Sequence, residues 1–301
     1  MKDKEDTAMQ PSEVIKNIRR IQITTGRLAS DFFCGRYHSV FKGRGIEFDE
    51  VRQYLPGDDI RCIDWNVTAR MGEPFIKKFV EERELTIMFL LDVSASCEFA
   101  TVNRFKRSIA AEICSLLALS AVKNNDKVGF VAFSDRVERF IRPAKGLRHA
   151  LAIVRDAMYF TPQGKGTDIA TVMEYLNRVV KRRTITFILS DFYTEGYIKP
   201  LSVANRRHDV IALSITDPVE LDLPDVGLIE LEDAETGEVF LVDTSSKSVR
   251  NRYRNDALKR VHERKRLLRS INVDHVEVST NIPYIKTLAR FFRMREKRLN
   301  R

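Results

Sequence analysis

An α/β fold with a mostly parallel sheet flanked by helices is predicted by three observations on this 301-residue chain. From Leu85 onward, short continuous apolar runs alternate with segments whose apolar residues recur every three and four positions, so buried strands alternate with amphipathic helices. Two of those runs end on aspartates, Asp92 and Asp191. The stretches between runs are long enough to hold the crossover helix that parallel neighbours require.

Each element follows from its own pattern. Residues 85–91 (LTIMFLL) are almost wholly apolar, as a strand covered on both faces should be. Phe105, Ile109, Ile113, Leu116, Leu117 and Ser120 then mark one helical face. Residues 127–133 (KVGFVAF) form a second strand and 137–141 an edge strand. Helical spacing returns over 147–158 and 168–182, followed by a strand over 184–190 (TITFILS), a helix over 198–205 and a strand over 209–215. The pieces GLIELED and EVFLVD flank the turn Ala234 to Gly237, which predicts a β-hairpin at about 226–243 grafted on the sheet. A long basic helix over 248–270, a strand over 273–279 and a helix over 282–299 close a domain spanning 84–301. Residues 1–83 read as a segment packing on that domain: a helix over 12–28 capped by Ser12, then turns and short strands from Gly35 to Pro74.

Composition narrows the function classes. With 44% hydrophobic and 31% charged residues the chain buries a core, and its longest apolar runs fall short of the ~20 residues of a membrane helix. The first ten residues mix both charge signs, unlike a secretory leader, so a cytoplasmic protein is expected. Cys34, Cys62, Cys97 and Cys114 form no C-x-x-C pair, and the five histidines show no H-x-x-x-H spacing, which argues against zinc and disulfides. The formal charge of +9 is concentrated at the end: Lys247 to Arg301 holds 17 Lys and Arg against 5 Asp and Glu. No nucleic-acid-binding motif accompanies that basic segment, which reads as a solvated helix face. The chain has no G-x-x-x-x-G-K-[ST] phosphate loop, so it is not itself a P-loop ATPase.

The constellation that carries chemistry lies at strand ends, where parallel sheets bind ligands. Asp92-Val-Ser94-Ala-Ser96 ends one strand, Asp191 ends another, and Gly164-Lys-Gly166-Thr167-Asp168 precedes a helix. A hard cation such as Mg²⁺ or Mn²⁺ takes six oxygen ligands at ~2.1 Å. The hydroxyls of Ser94, Ser96 and Thr167 suit direct coordination, while Asp92 and Asp191 hold bound waters and balance the charge. Hydroxyls add no charge, so the ion stays electrophilic and leaves a position for a partner's Asp or Glu. The competing reading is that Thr167, Asp168 and Asp191 merely cap helices.

These three motifs resemble the metal-ion-dependent adhesion site of von Willebrand factor A domains, a Rossmann-like fold. Upstream, Gly43-Arg-Gly45-Ile-Glu47, Arg52-x-Tyr54, Pro56-Gly57-Asp58-Asp59-Ile60-Arg61-x-Ile63-Asp64-Trp65 and Arg70 resemble the signature of the domain-of-unknown-function family fifty-eight. That bacterial family couples the signature to an A-like domain, and the resemblance implies a MoxR-type AAA+ ATPase as partner. It gives no mechanism for the signature. The residues themselves suggest ion pairs among Glu47, Asp58, Asp59, Asp64 and Arg44, Arg52, Arg61, Arg70, with Trp65 as an apolar anchor and Gly57 in a tight turn. An alternative makes Asp58 and Asp59 a second carboxylate site.

The expectation for function is a metal-dependent protein-interaction module that captures an acidic side chain of a client, with no catalytic residues. Two alternatives stand beside it: a Mg²⁺-dependent phosphate-ester hydrolase, for which no G-x-S-x-G or D-x-D-x-T string is present, and a nucleic-acid scaffold using the basic segment.

Overall fold

The computed structural model describes residues 47–80, 84–99 and 104–299. Expectations for the helix over 12–28 and for Gly43, Arg44 and Gly45 lie outside the described residues. The chain divides into two compact units, whose described parts run from Glu47 to Leu85 and from Thr86 to Leu299.

In the smaller unit, β1 (Glu47–Gln53) pairs antiparallel with β2 (Phe75–Val80). Between them lie a 3₁₀ turn (Ile60–Cys62) and α1 (Trp65–Met71), a helix in a stretch expected to hold only turns and strands. Its cause is capping, not periodicity. The Asp64 carboxylate accepts from the amides of Asn66 at 3.0 Å and Val67 at 3.3 Å, satisfying N-terminal donors that a short helix leaves open.

The larger unit has one six-stranded sheet, in the order β10-β7-β6-β3-β4-β5. Its strands are β3 (Thr86–Asp92), β4 (Lys127–Phe133), β5 (Val137–Ala144), β6 (Ile185–Ser190), β7 (Asp209–Thr216) and β10 (Asp274–Ser279). All neighbours are parallel except β4 and β5. Six of seven β3 residues and all of β6 are buried, because helices cover both faces. On one face Met88 and Leu90 pack with Ile169, Val172, Met173 and Leu201. On the other, Phe89 stacks on Phe187 with ring centroids 5.7 Å apart. Each fully buried side chain of this size stabilises by ~1.5–3 kcal/mol.

The helices are α2 (Lys106–Lys123), α3 (Leu147–Tyr159), α4 (Ile169–Val179), α5 (Ile198–Arg207), α6 (Lys247–Ser270) and α7 (Tyr284–Leu299). Three boundaries differ from expectation. Phe105 precedes α2 and is exposed, and α2 buries much more than one face. The fourth helix stops at Val179 instead of Arg182, since Val180 turns to extended backbone and Lys181 to Arg183 stay in solvent. The hairpin β8 (Leu228–Glu232) and β9 (Val239–Asp243) forms its own two-stranded sheet; it is not part of the main one.

The chain enters the large sheet at β3, runs outward through β4 and β5, then returns to β6 on the other side of β3 and continues to β7 and β10. The reversal falls between β3 and β6. Ligands of open parallel sheets bind at such a point, beyond the strands' carboxyl ends. Asp92 ends β3, and Asp191 follows β6.

Candidate metal centre

Strand β3 carries Asp92 into a fully buried position, and the chain then folds back because Asp92 Oδ1 accepts from the Ser94 amide at 3.0 Å. This turn brings the hydroxyls of Ser94 and Ser96 to 3.0 Å from each other. Thr167 Oγ1 lies 2.8 Å from Ser94 Oγ, although 73 residues separate them. Asp92 Oδ2 accepts from Ser190 Oγ at 2.6 Å, tying the β3 end to the β6 end. Four of the five expected ligands, Asp92, Ser94, Ser96 and Thr167, are therefore joined by hydrogen bonds. Asp191 follows Ser190 directly, but its Oδ2 accepts from Lys106 Nζ at 2.8 Å.

The Thr167 loop is held from several sides. Glu138 Oε1 accepts from the amides of Gln163 at 3.0 Å and Gly164 at 2.7 Å, and from Ser134 Oγ at 2.7 Å. Burial opposes the Glu138 charge, but these donors outweigh it and lower its pKa. Gly164 is required by close approach: a Cβ there would collide with the Ser134 hydroxyl and the Asp135 carboxylate. The Ala95 amide donates to the Lys165 carbonyl at 3.0 Å, joining this loop to the Ser94 loop. Asp168, offered above as a cap, is one: it accepts from the Thr171 amide at 3.0 Å at the start of α4. Asp191 caps no helix, since α5 begins after Tyr197.

Sequence reasoning missed Lys106, Glu220 and Arg264. Lys106 is 1% exposed; its Nζ donates to Asp191 Oδ2 and, at 2.5 Å, to Glu220 Oε1. Burial works against this ammonium, but Asp191 and Glu220 outweigh it and its pKa is raised. Arg264, on the helix read as a solvated basic face, is buried and donates from Nη1 to the Asp191 carbonyl at 2.8 Å. One signal was available. A lysine at the first position of an apolar helix opposes the helix dipole, so it needs a carboxylate to hold it there.

The donor set fits a hard cation. The Asp92 pKa is pushed up to about 7, first by burial and then by the charge of Asp191. The two hydrogen bonds it accepts, from Ser94 and Ser190, come from neutral groups. A buried carboxylate so placed beside three clustered hydroxyls is stabilised in its ionised form by a positive charge, and an all-oxygen set selects Mg²⁺ or Mn²⁺ over softer ions. Among the described residues no cluster of three or more His, Cys, Asp or Glu offers a metal site. Cys97, next to this loop, is buried, and burial followed by the charges of Asp92 and Asp191 raises its thiol pKa, so it is a packing residue and a poor nucleophile.

The described signature residues lie in the smaller unit. Arg52 Nη2 pairs with Asp58 Oδ1 at 2.6 Å. Gly57 holds φ at +109°, and the Leu55 amide donates to Asp58 Oδ2 at 2.9 Å, so the tight turn is present. Asp59 accepts from the Arg61 amide at 3.0 Å and Asp64 caps α1, because short helices need acceptors for open amides, while Arg44 of the expected network lies outside the described residues. Trp65 is 68% exposed and anchors nothing in its own unit, and Arg70 lies in the exposed last turn of α1. The Tyr54 amide donates to the Pro74 carbonyl at 2.8 Å.

The reversal point of an open, mostly parallel α/β sheet, where such folds bind ligands, gathers a D-x-S-x-S turn, a threonine loop and an aspartate, which resembles the arrangement expected from the sequence. The chain belongs to the family described as "Protein of unknown function DUF58", whose model matches residues 50–264. It is 28% identical over 285 residues to the uncharacterized protein Rv1480 of Mycobacterium tuberculosis, covering 93% of this chain and 89% of that protein. It is 30% identical over 161 residues to the uncharacterized protein MAV169 of Mycobacterium avium, covering 52% and 94%. Among solved structures, BatB from Bacteroides thetaiotaomicron has a TM-score of 0.44 at 17% identity, covering 71% of this chain and 99% of that one. An aerotolerance-related membrane protein from Bacteroides fragilis scores 0.46 at 14% identity, with the same coverage. The SpRpn10 VWA domain scores 0.37 at 11% identity, covering 70% and 95%.

The cytoplasmic placement is corrected. The Bacteroides fragilis protein is itself described as a membrane protein, and no helix among the described residues of this chain is long and apolar enough to cross a bilayer, so the cytoplasmic reading is withdrawn. The physical reason is that lacking an apolar helix long enough to span, among the described residues, fixes no compartment.

Proposed function

We propose that this chain is a metal-dependent protein-interaction module that binds one Mg²⁺ or Mn²⁺ through Asp92, Ser94, Ser96, Thr167 and Asp191 and captures an acidic side chain of a protein client. The observation that carries this reading is the convergence of Ser94, Ser96 and Thr167 hydroxyls within 3.0 Å steps of one another beside a buried Asp92. Bound there, the cation supplies an electrophilic point that a partner's carboxylate completes. Asp92 and Ser94 fix the turn, Glu138 holds the threonine loop in reach, and Lys106 neutralises Asp191. With Asp191 neutralised, the site retains less negative charge against an incoming acid. In this reading the chain works with a MoxR-type AAA+ ATPase in the assembly or maturation of other proteins, an assignment that rests on the signature resemblance.

Affinity capture from the native host separates this from a plain scaffold. Tagged protein in Mg²⁺ retains its partners, and EDTA or the variant Asp92→Ala or Thr167→Ala reduces them at least tenfold, while circular dichroism stays native. Unchanged retention in EDTA contradicts the reading.

A further inference from the structure

The β8–β9 hairpin brings a carboxylate of this same chain onto the proposed site. Glu235 Oε1 lies 2.8 Å from Thr167 Oγ1. Its Oε2 sits over Gly166, 3.6 Å from where a Cβ would stand, an ordinary van der Waals distance. Glu235 is half-buried while Asp233, Ala234, Thr236 and Gly237 around it are exposed. The turn that presents it is built firmly: Asp233 Oδ1 accepts from the amides of Glu235 at 2.9 Å and Thr236 at 3.0 Å, and the Gly237 amide donates to the Asp233 carbonyl at 2.7 Å.

The rest of the hairpin is loosely held. Its strands pair only with each other, and Leu228, Val239, Phe240 and Leu241 are exposed. A lone two-stranded ribbon is marginally stable, so its docking depends on few contacts. We infer that Glu235 is an internal ligand: it occupies the position that a client's acidic side chain takes, and the hairpin leaves when a client binds. This inference rests on the metal-site reading above. It also describes the client chemically, as a carboxylate carried on a narrow protruding turn that can enter where this hairpin tip does. A carboxylate on a flat surface does not reach.

Hydrogen exchange of the full chain, with MgCl₂ or with EDTA, tests it in wild type and in Glu235→Ala. In wild type, Mg²⁺ slows exchange in the loops 92–97 and 164–168 and, by about tenfold, in the hairpin 228–243, a coupling of ordinary size. In Glu235→Ala, Mg²⁺ still protects both loops, which also shows that the variant is folded, but no longer protects the hairpin. Loop protection without hairpin protection in wild type, or equal hairpin protection in both proteins, overturns the internal ligand and leaves the cation site standing. No Mg²⁺ protection anywhere overturns the site and this inference with it.

Discussion

Lys106 lies 85 residues from Asp191 in sequence, and its ammonium is 2.8 Å from that carboxylate. Glu138 reaches Gly164 across 26 residues, and Glu235 reaches Thr167 across 68. Separations of this kind explain why these three residues were not read from the sequence, whereas Asp92, Ser94, Ser96, Thr167 and Asp191 were proposed from local motifs. Candidate ligands at strand ends show up as a local motif, whereas groups that set charge or hold a loop are recognised only once the chain has folded. The Lys106 pair makes a quantitative prediction. Lys106→Met leaves Asp191 and Glu220 buried without their cation, which costs ~3–5 kcal/mol for a broken buried pair. Urea unfolding measures it, and a loss below ~1 kcal/mol contradicts the assignment of Lys106 as the counter-ion of the site.

At the scale of elements, the strands of the main sheet were readable because burial on both faces demands unbroken apolar runs, and β3 and β6 have them. The short α1 was not, because no residue in it is buried and its boundaries come from Asp64 and Gly72. The hairpin was found, but its detachment from the sheet was not, since pairing within a ribbon and pairing to a sheet leave the same alternation. Histidines on two elements give a pH prediction. His208 caps the C-terminus of α5 just before β7, where Nδ1 lies 2.9 Å from Thr184 Oγ1, and burial lowers its pKa to about 4. His275, on β10, lies 2.8 Å from Ser214 Oγ, and burial likewise lowers its pKa to about 4. Unfolded, each titrates near ~6.5. The unfolded chain therefore binds more protons between these values, so the stabilisation present above pH 6.5 is lost as pH falls toward 4. Tm should decline from pH 7 to pH 5, less steeply in His208→Asn; a flat profile refutes this.

On the scale of the whole molecule, connectivity creates the site. The return from β5 to β6 passes to the far side of β3, and this brings the three loops together beyond the strand ends. The basic α6 is part of that construction, since Ala257, Arg264 and Leu268 form its buried stripe and Arg264 braces the Asp191 backbone. The fold class was predictable from the alternation of patterns alone. The central claim, a single hard cation held by hydroxyls of two loops with carboxylates behind them, is tested most directly by anomalous diffraction from crystals grown in MnCl₂. The account predicts one manganese peak at ~2.1–2.3 Å from the hydroxyl oxygens of Ser94, Ser96 and Thr167, with Asp92 and Asp191 in contact through water. Well-ordered crystals with no peak there, or with manganese bound only elsewhere, would contradict it.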